Sequence, residues 1–98
     1  MAESGKDRLV RHHIVFSGRV QGVGFRYRAM YAAQSLGLTG WVKNDWDGSV
    51  VMEVQGRQSQ IDQMIGMIQQ GSYIYIEDIK LKKIPLTEDE RSFKIRGY

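Results

Sequence analysis

The residues best able to do chemistry stand together near the start of the chain, in Gly18-Arg19-Val20-Gln21-Gly22-Val23-Gly24-Phe25-Arg26. Glycines at 18, 22 and 24 let the backbone turn tightly and approach a bound group closely. Arg26 stands at the mouth of an Ala-rich run with helical spacing. Loop amides, a helix N-terminus and a guanidinium in one place make an anion site, and phosphate is the usual guest. Taken alone, the same stretch also reads as a tight strand-to-helix turn with no ligand. The sequence has no cysteine, which excludes a thiol nucleophile, a disulfide and a thiolate metal site. His12 and His13 are adjacent in a strand-like run, so they point to opposite sides and cannot share a metal or an acid–base task.

The elements that must position this loop follow from periodicity. The 98 residues make one domain with one modest core. Residues 1–11 are polar and aperiodic, and a flexible N-terminal arm is expected there, with the domain proper at 12–98. His12 to Val20 alternate as a strand, with Ile14, Phe16 and Val20 on one face. A helix is predicted from about Arg26 to Leu36, its stripe Phe25, Ala29, Met30, Ala33 and Leu36, ended by Gly37. Arg26 lies at its first turn; Arg28, two positions on, points elsewhere. Gly40–Asn44 and Ser49–Gln55 read as strands joined by a hairpin at Asp47-Gly48. A second helix starts near Ser59, where Ser59 and Asp62 have capping-box spacing, and carries Ile61, Met64, Ile65 and Ile68 on one face. Glu77–Ile84 form a strand stopped by Pro85, an acidic loop spans 86–92, and Phe93–Arg96 form a short last strand. The order predicts an α+β, ferredoxin-like split βαβ sandwich (βαββαβ), an antiparallel sheet with two helices on one face.

Familiar nucleotide and metal motifs fail at identifiable positions. A dinucleotide fingerprint would need glycine or alanine where Tyr27 stands, and no Gly-Lys-Ser/Thr supplies a Walker loop. A calcium loop through Asp45-Trp46-Asp47-Gly48 would place Lys43 at its first ligand and Val54 at its last. The net charge of +3 and pI near 9.3 favour anionic ligands without choosing among them. One reading from another class therefore stays open: a ferredoxin-like nucleic-acid or protein binding module using Lys80, Lys82, Lys83, Tyr73 and Tyr75.

The glycine loop ending at Arg26, then Leu36-Gly37-Leu38-Thr39-Gly40-Trp41-Val42-Lys43-Asn44, then Asp47-Gly48-Ser49-Val50, resembles both signatures of the acylphosphatases in order and spacing. The resemblance covers roughly residues 12–98 and is weaker after Gly56. It implies hydrolysis of the carboxyl–phosphate anhydride of acyl phosphates to a carboxylate and inorganic phosphate, with no metal and no cofactor. It implies that Arg26 grips the phosphoryl oxygens together with the loop residues Gln21, Gly22, Val23, Gly24 and Phe25, and that Asn44 positions the attacking water. These roles suit the residue types. A transferring phosphoryl group spreads negative charge over its equatorial oxygens, and arginine offers them a rigid planar fork. Asparagine both donates and accepts without charge, so it can hold a water beside an anion. The family further suggests that the substrate phosphate takes the water's proton.

Composition sets the remaining expectations. Hydrophobic residues at 42% and charged residues at 26% are ordinary for a globular chain. No apolar run is long enough to span a membrane, and no signal-peptide pattern is present. A cytoplasmic monomer acting on a small molecule, with no nucleic-acid or membrane partner, is expected.

Overall fold

The computed structural model describes residues 7–97. These form the elements β1 (Leu9–Arg19), α1 (Phe25–Ser35), β2 (Thr39–Asn44), β3 (Val50–Arg57), α2 (Gln58–Gln69), β4 (Tyr75–Ile84) and β5 (Phe93–Ile95). The sheet order is β4-β1-β3-β2-β5. The first four pair antiparallel, as a ferredoxin-like sheet requires, with Ile14 opposite Met52 and Leu81. β5 departs from the expected antiparallel sheet: it lies parallel to β2, with Trp41 opposite Lys94. The chain returns across the sheet through residues 85–92 before β5 begins, which reverses the direction in which β5 arrives.

Period-two alternation places one face of each central strand in the core. Ile14, Phe16, Val42, Val50, Met52 and Val54 are buried there, against Ala29 and Ala33 of α1 and Ile61, Met64 and Ile68 of α2. The helical stripe of α1 is as read from sequence, with Ala32 added and Met30 and Leu36 partly buried. Gly37 closes α1 at φ 71, where a side chain would be strained. Gly40 permits β2 to lie close to β3, since a Cβ there would collide with the Glu53 carbonyl.

Two local expectations are corrected. β1 begins at Leu9, so Leu9, Val10 and Arg11 belong to the sheet and not to the arm, of which residues 1–6 lie outside the described residues. Arg11 is only 3% exposed, and its guanidinium meets Glu90 at 2.7 Å and Glu53 at 3.2 Å. Glu53 in turn meets His13 Nδ1 at 3.1 Å. A charge this buried persists only when paired, and the pairing pins the 86–92 segment to the sheet, helped by Gln55 bonded to both the N–H and the carbonyl of Thr87. Burial pushes the Glu53 carboxyl up, but its hydrogen bonds from His13 and Arg11 outweigh that and hold it below the usual glutamate value. The capping box is also absent. α2 starts at Gln58 with Arg57 as its N-cap, Ser59 Oγ donates to Asp7, and Asp62 accepts from Gln58.

Candidate active site

The loop after β1 carries Val20 into the core and then leaves it. Gly22 and Gly24 both take left-handed backbone conformations, at φ 71 and φ 81, with open space where a Cβ would stand. Gly24 is the N-cap of α1 and brings no side chain to its first-turn amides. Those N–H groups are thus free to face an anion. Phe25, the first residue of α1, is buried and packs against Phe16 at 4.9 Å between ring centroids, which fixes where the helix starts. Arg26 follows, half-buried, and forms no hydrogen bond or ion pair among the described residues.

Asn44 ends β2 and is 6% exposed. Its Oδ1 is buried and accepts no hydrogen bond among the described residues. Such an acceptor costs free energy unless something fills it. Asn44 shares a cleft of about 160 Å³ with Val20, Gly22, Gly24, Phe25, Arg26 and Tyr27. That is well below the roughly 300 Å³ at which pockets for drug-sized ligands begin, and it suits a small tetrahedral anion with its water. Two larger hollows lie away from these groups. One, of about 420 Å³, is bordered by Trp41, Glu90 and Lys94. The other, of about 480 Å³, lies between α1 and α2 near Tyr31 and Met67.

Of the residues singled out from sequence, Gly22, Gly24, Phe25, Arg26 and Asn44 converge on the cleft, while Gln21 and Val23 do not line it. Val23 packs partly against the core. The Gln21 side chain reaches the opposite wall: Nε2 donates to the carbonyls of Asp45 at 2.6 Å and Ser49 at 2.8 Å. It thereby ties the glycine loop to the hairpin that follows Asn44. The hairpin is braced from within by Asp47, which accepts from the Ser49 N–H and, at 2.6 Å, from the Ser49 hydroxyl. These bonds, led by the hydroxyl, hold the Asp47 carboxyl below its ordinary value. The aspartates thus serve as turn residues. Tyr27 was missed as a lining residue; its position one residue after Arg26 was the available signal. Among the described residues, no group of three His, Cys, Asp or Glu side chains is placed to hold a metal ion.

A family model described as Acylphosphatase matches residues 12–95. The chain belongs to the acylphosphatase family. It is 44% identical to the acylphosphatase of Clostridium acetobutylicum over 88 residues, covering 89% of this chain and 97% of that one. The crystal structure of acylphosphatase from Bacillus subtilis superposes with a TM-score of 0.81 at 32% identity, covering 91% of this chain and 99% of that one. An acylphosphatase structure from Coxiella burnetii gives 0.79 at 31% identity, covering 98% and 100%. These likenesses favour a hydrolase acting on acid anhydrides over a binding module.

Proposed function

We propose that this chain hydrolyses acyl phosphates through the cleft between the glycine loop and Asn44. The observation that carries the reading is the pairing, in one small cleft, of an uncommitted guanidinium with a buried, unfilled amide oxygen. Arg26 and the first-turn amides of α1 grip the phosphoryl oxygens, where charge develops in the transition state. Asn44 Oδ1 accepts a hydrogen bond from the nucleophilic water and holds its lone pair towards phosphorus. The new bond forms between water oxygen and phosphorus as the bond from phosphorus to the carboxylate oxygen breaks. The electron pair leaves with the carboxylate, a weak base that needs no acid. The water's proton passes to a phosphoryl oxygen, so the dianionic substrate and water give a carboxylate and dihydrogen phosphate.

The proposal includes a cytoplasmic monomer that needs no metal, cofactor or nucleic acid. No helix among the described residues is long and apolar enough to cross a membrane. An assay of acetyl phosphate beside a phosphate monoester, in excess EDTA, tests it. Turnover of the anhydride alone is expected. Equal turnover of the monoester, or loss of activity in EDTA restored by a divalent metal, would overturn the reading.

A further inference from the structure

The sheet has a covered side and an open side. Both helices pack on the side of Ile14, Phe16, Val42 and Met52. Strand alternation sends the residues between these to the other side, where no helix among the described residues lies. The pairing register orders that open side into rows. One row runs Lys82, His13, Glu53, Trp41 and Lys94 across β4, β1, β3, β2 and β5. The next runs Lys80, Val15, Val51 and Lys43, and Arg96 follows Lys94 on the same side. Four strand spacings make the first row roughly 19 Å long.

Lys43, Lys80, Lys82, Lys94 and Arg96 thus share one side, and together they exceed the net +3 of the whole chain. None of them forms an ion pair among the described residues. Glu53 and Glu90 are already held by Arg11, and Asp78 stands at the corner opposite Ser17. Trp41 lies among these cations. The Arg96 guanidinium sits over its ring at 4.7 Å from the centroid, and Lys43 Nζ at 5.8 Å. A hollow of about 420 Å³ opens beside Trp41, Lys94 and Arg96. Nothing in the linear order joins these residues, which come from three strands; the register does.

An acidic peptide finds little here beyond charge. β1, β3 and β2 are paired on both edges, so no free ladder edge is offered to its backbone. Lysine is also depleted at protein–protein interfaces, whereas it is an ordinary phosphate contact. Aromatic rings and guanidinium planes carry stacked bases, and cations beside them track the phosphates. We propose that the open side of the sheet binds single-stranded nucleic acid, with a base at the Trp41–Arg96 pair and phosphates on the four lysines. The acyl phosphate cleft shares no residue with this surface and needs no nucleic acid for its chemistry.

Fluorescence anisotropy of a labelled oligo(dT) of about 12 nucleotides, titrated with the full chain at several salt concentrations, tests this. Contacts from all five cations would give a slope of log K against log salt of about −3.5. The double variant Lys43→Gln/Lys94→Gln should reduce that slope by about 1.4. Trp41→Ala should weaken binding about tenfold, as loss of one stacked base does. Arg26→Ala, in the cleft, and Lys83→Gln, which points to the helix side opposite His12, should bind as the wild type does. No binding at 100 μM protein and low salt, or binding lost in Arg26→Ala, would overturn the proposal. So would tighter binding of a poly-glutamate peptide or of anionic lipid vesicles than of oligo(dT). Should Trp41→Ala fail to fold, the lysine pair decides: an unchanged salt slope there overturns the proposal as well.

Discussion

Replacing Gln21 by glutamate keeps the length and shape of the side chain but removes both of its donors. In the native protein one amide nitrogen bridges the carbonyls of Asp45 and Ser49, and so joins the glycine loop to the hairpin. Each such bond contributes about 0.5–1.5 kcal/mol net, so the two together stabilise by about 1–3 kcal/mol. The carbonyls are not wholly orphaned by the change: Asp45 O still accepts from Gly48 N and Ser49 O from Asp45 N. A carboxylate facing two carbonyl oxygens is repelled as well, so Gln21→Glu should cost more than Gln21→Ala at neutral pH. The introduced carboxyl has its pKa raised by the same carbonyls. Its cost is therefore full above that pKa, and part is regained as pH falls through it and the protonated acid donates one bond. For a domain of this size the melting temperature should fall by at least about 5 °C at pH 7. Loosening of the two walls by about 1 Å should lower kcat by about 10²-fold. Thermal unfolding at pH 7 and pH 4, with kcat on an acyl phosphate, reads both effects. A Gln21→Glu protein with wild-type melting temperature and kcat would refute the claim that this side chain joins the two halves of the site.

Arg26→Ala should lower turnover by about 10²–10³, the loss that follows removal of a preorganised charge-stabilising donor, and inorganic phosphate should inhibit the variant more weakly. Asn44→Ala should abolish turnover yet leave phosphate inhibition and the melting temperature near wild type, because the buried Oδ1 it removes has no partner to lose; weakened phosphate binding would show that Asn44 holds the anion. The Glu53 carboxyl titrates below its ordinary value in the folded chain, so its contribution to stability is full above the unfolded value and disappears as pH falls through the folded one. Denaturant unfolding as a function of pH should show that acid loss in the wild type and less of it in Glu53→Gln.

The two halves of the candidate site stand out because each carries a short family signature. Alone, a Gly-Val-Gly-Phe-Arg turn between a period-two and a period-3.6 run reads either as an anion loop or as a bare turn, and Asn44 is singled out by the resemblance to the acylphosphatases. What joins them was not legible. Gln21 reads as one more loop residue, and only the return of β2 beside β1 through β3 brings the Asp45 and Ser49 carbonyls within reach of its amide. From sequence alone Arg11 reads as part of the arm, because its partners Glu53 and Glu90 lie 42 and 79 positions away. Ser59 matched a capping pattern, but β3 runs on to Arg57 and Asp7 takes the Ser59 hydroxyl instead. β5 has three residues, too few for periodicity to state the direction of pairing.

The central claim is that water held by Asn44 attacks phosphorus. Hydrolysis of an acyl phosphate in ¹⁸O-labelled water, with the products analysed by mass spectrometry, tests it most directly. The account predicts that the label enters inorganic phosphate and leaves the carboxylate unlabelled. Label in the carboxylate would place the attack at the carbonyl carbon and contradict the roles given to Arg26 and Asn44.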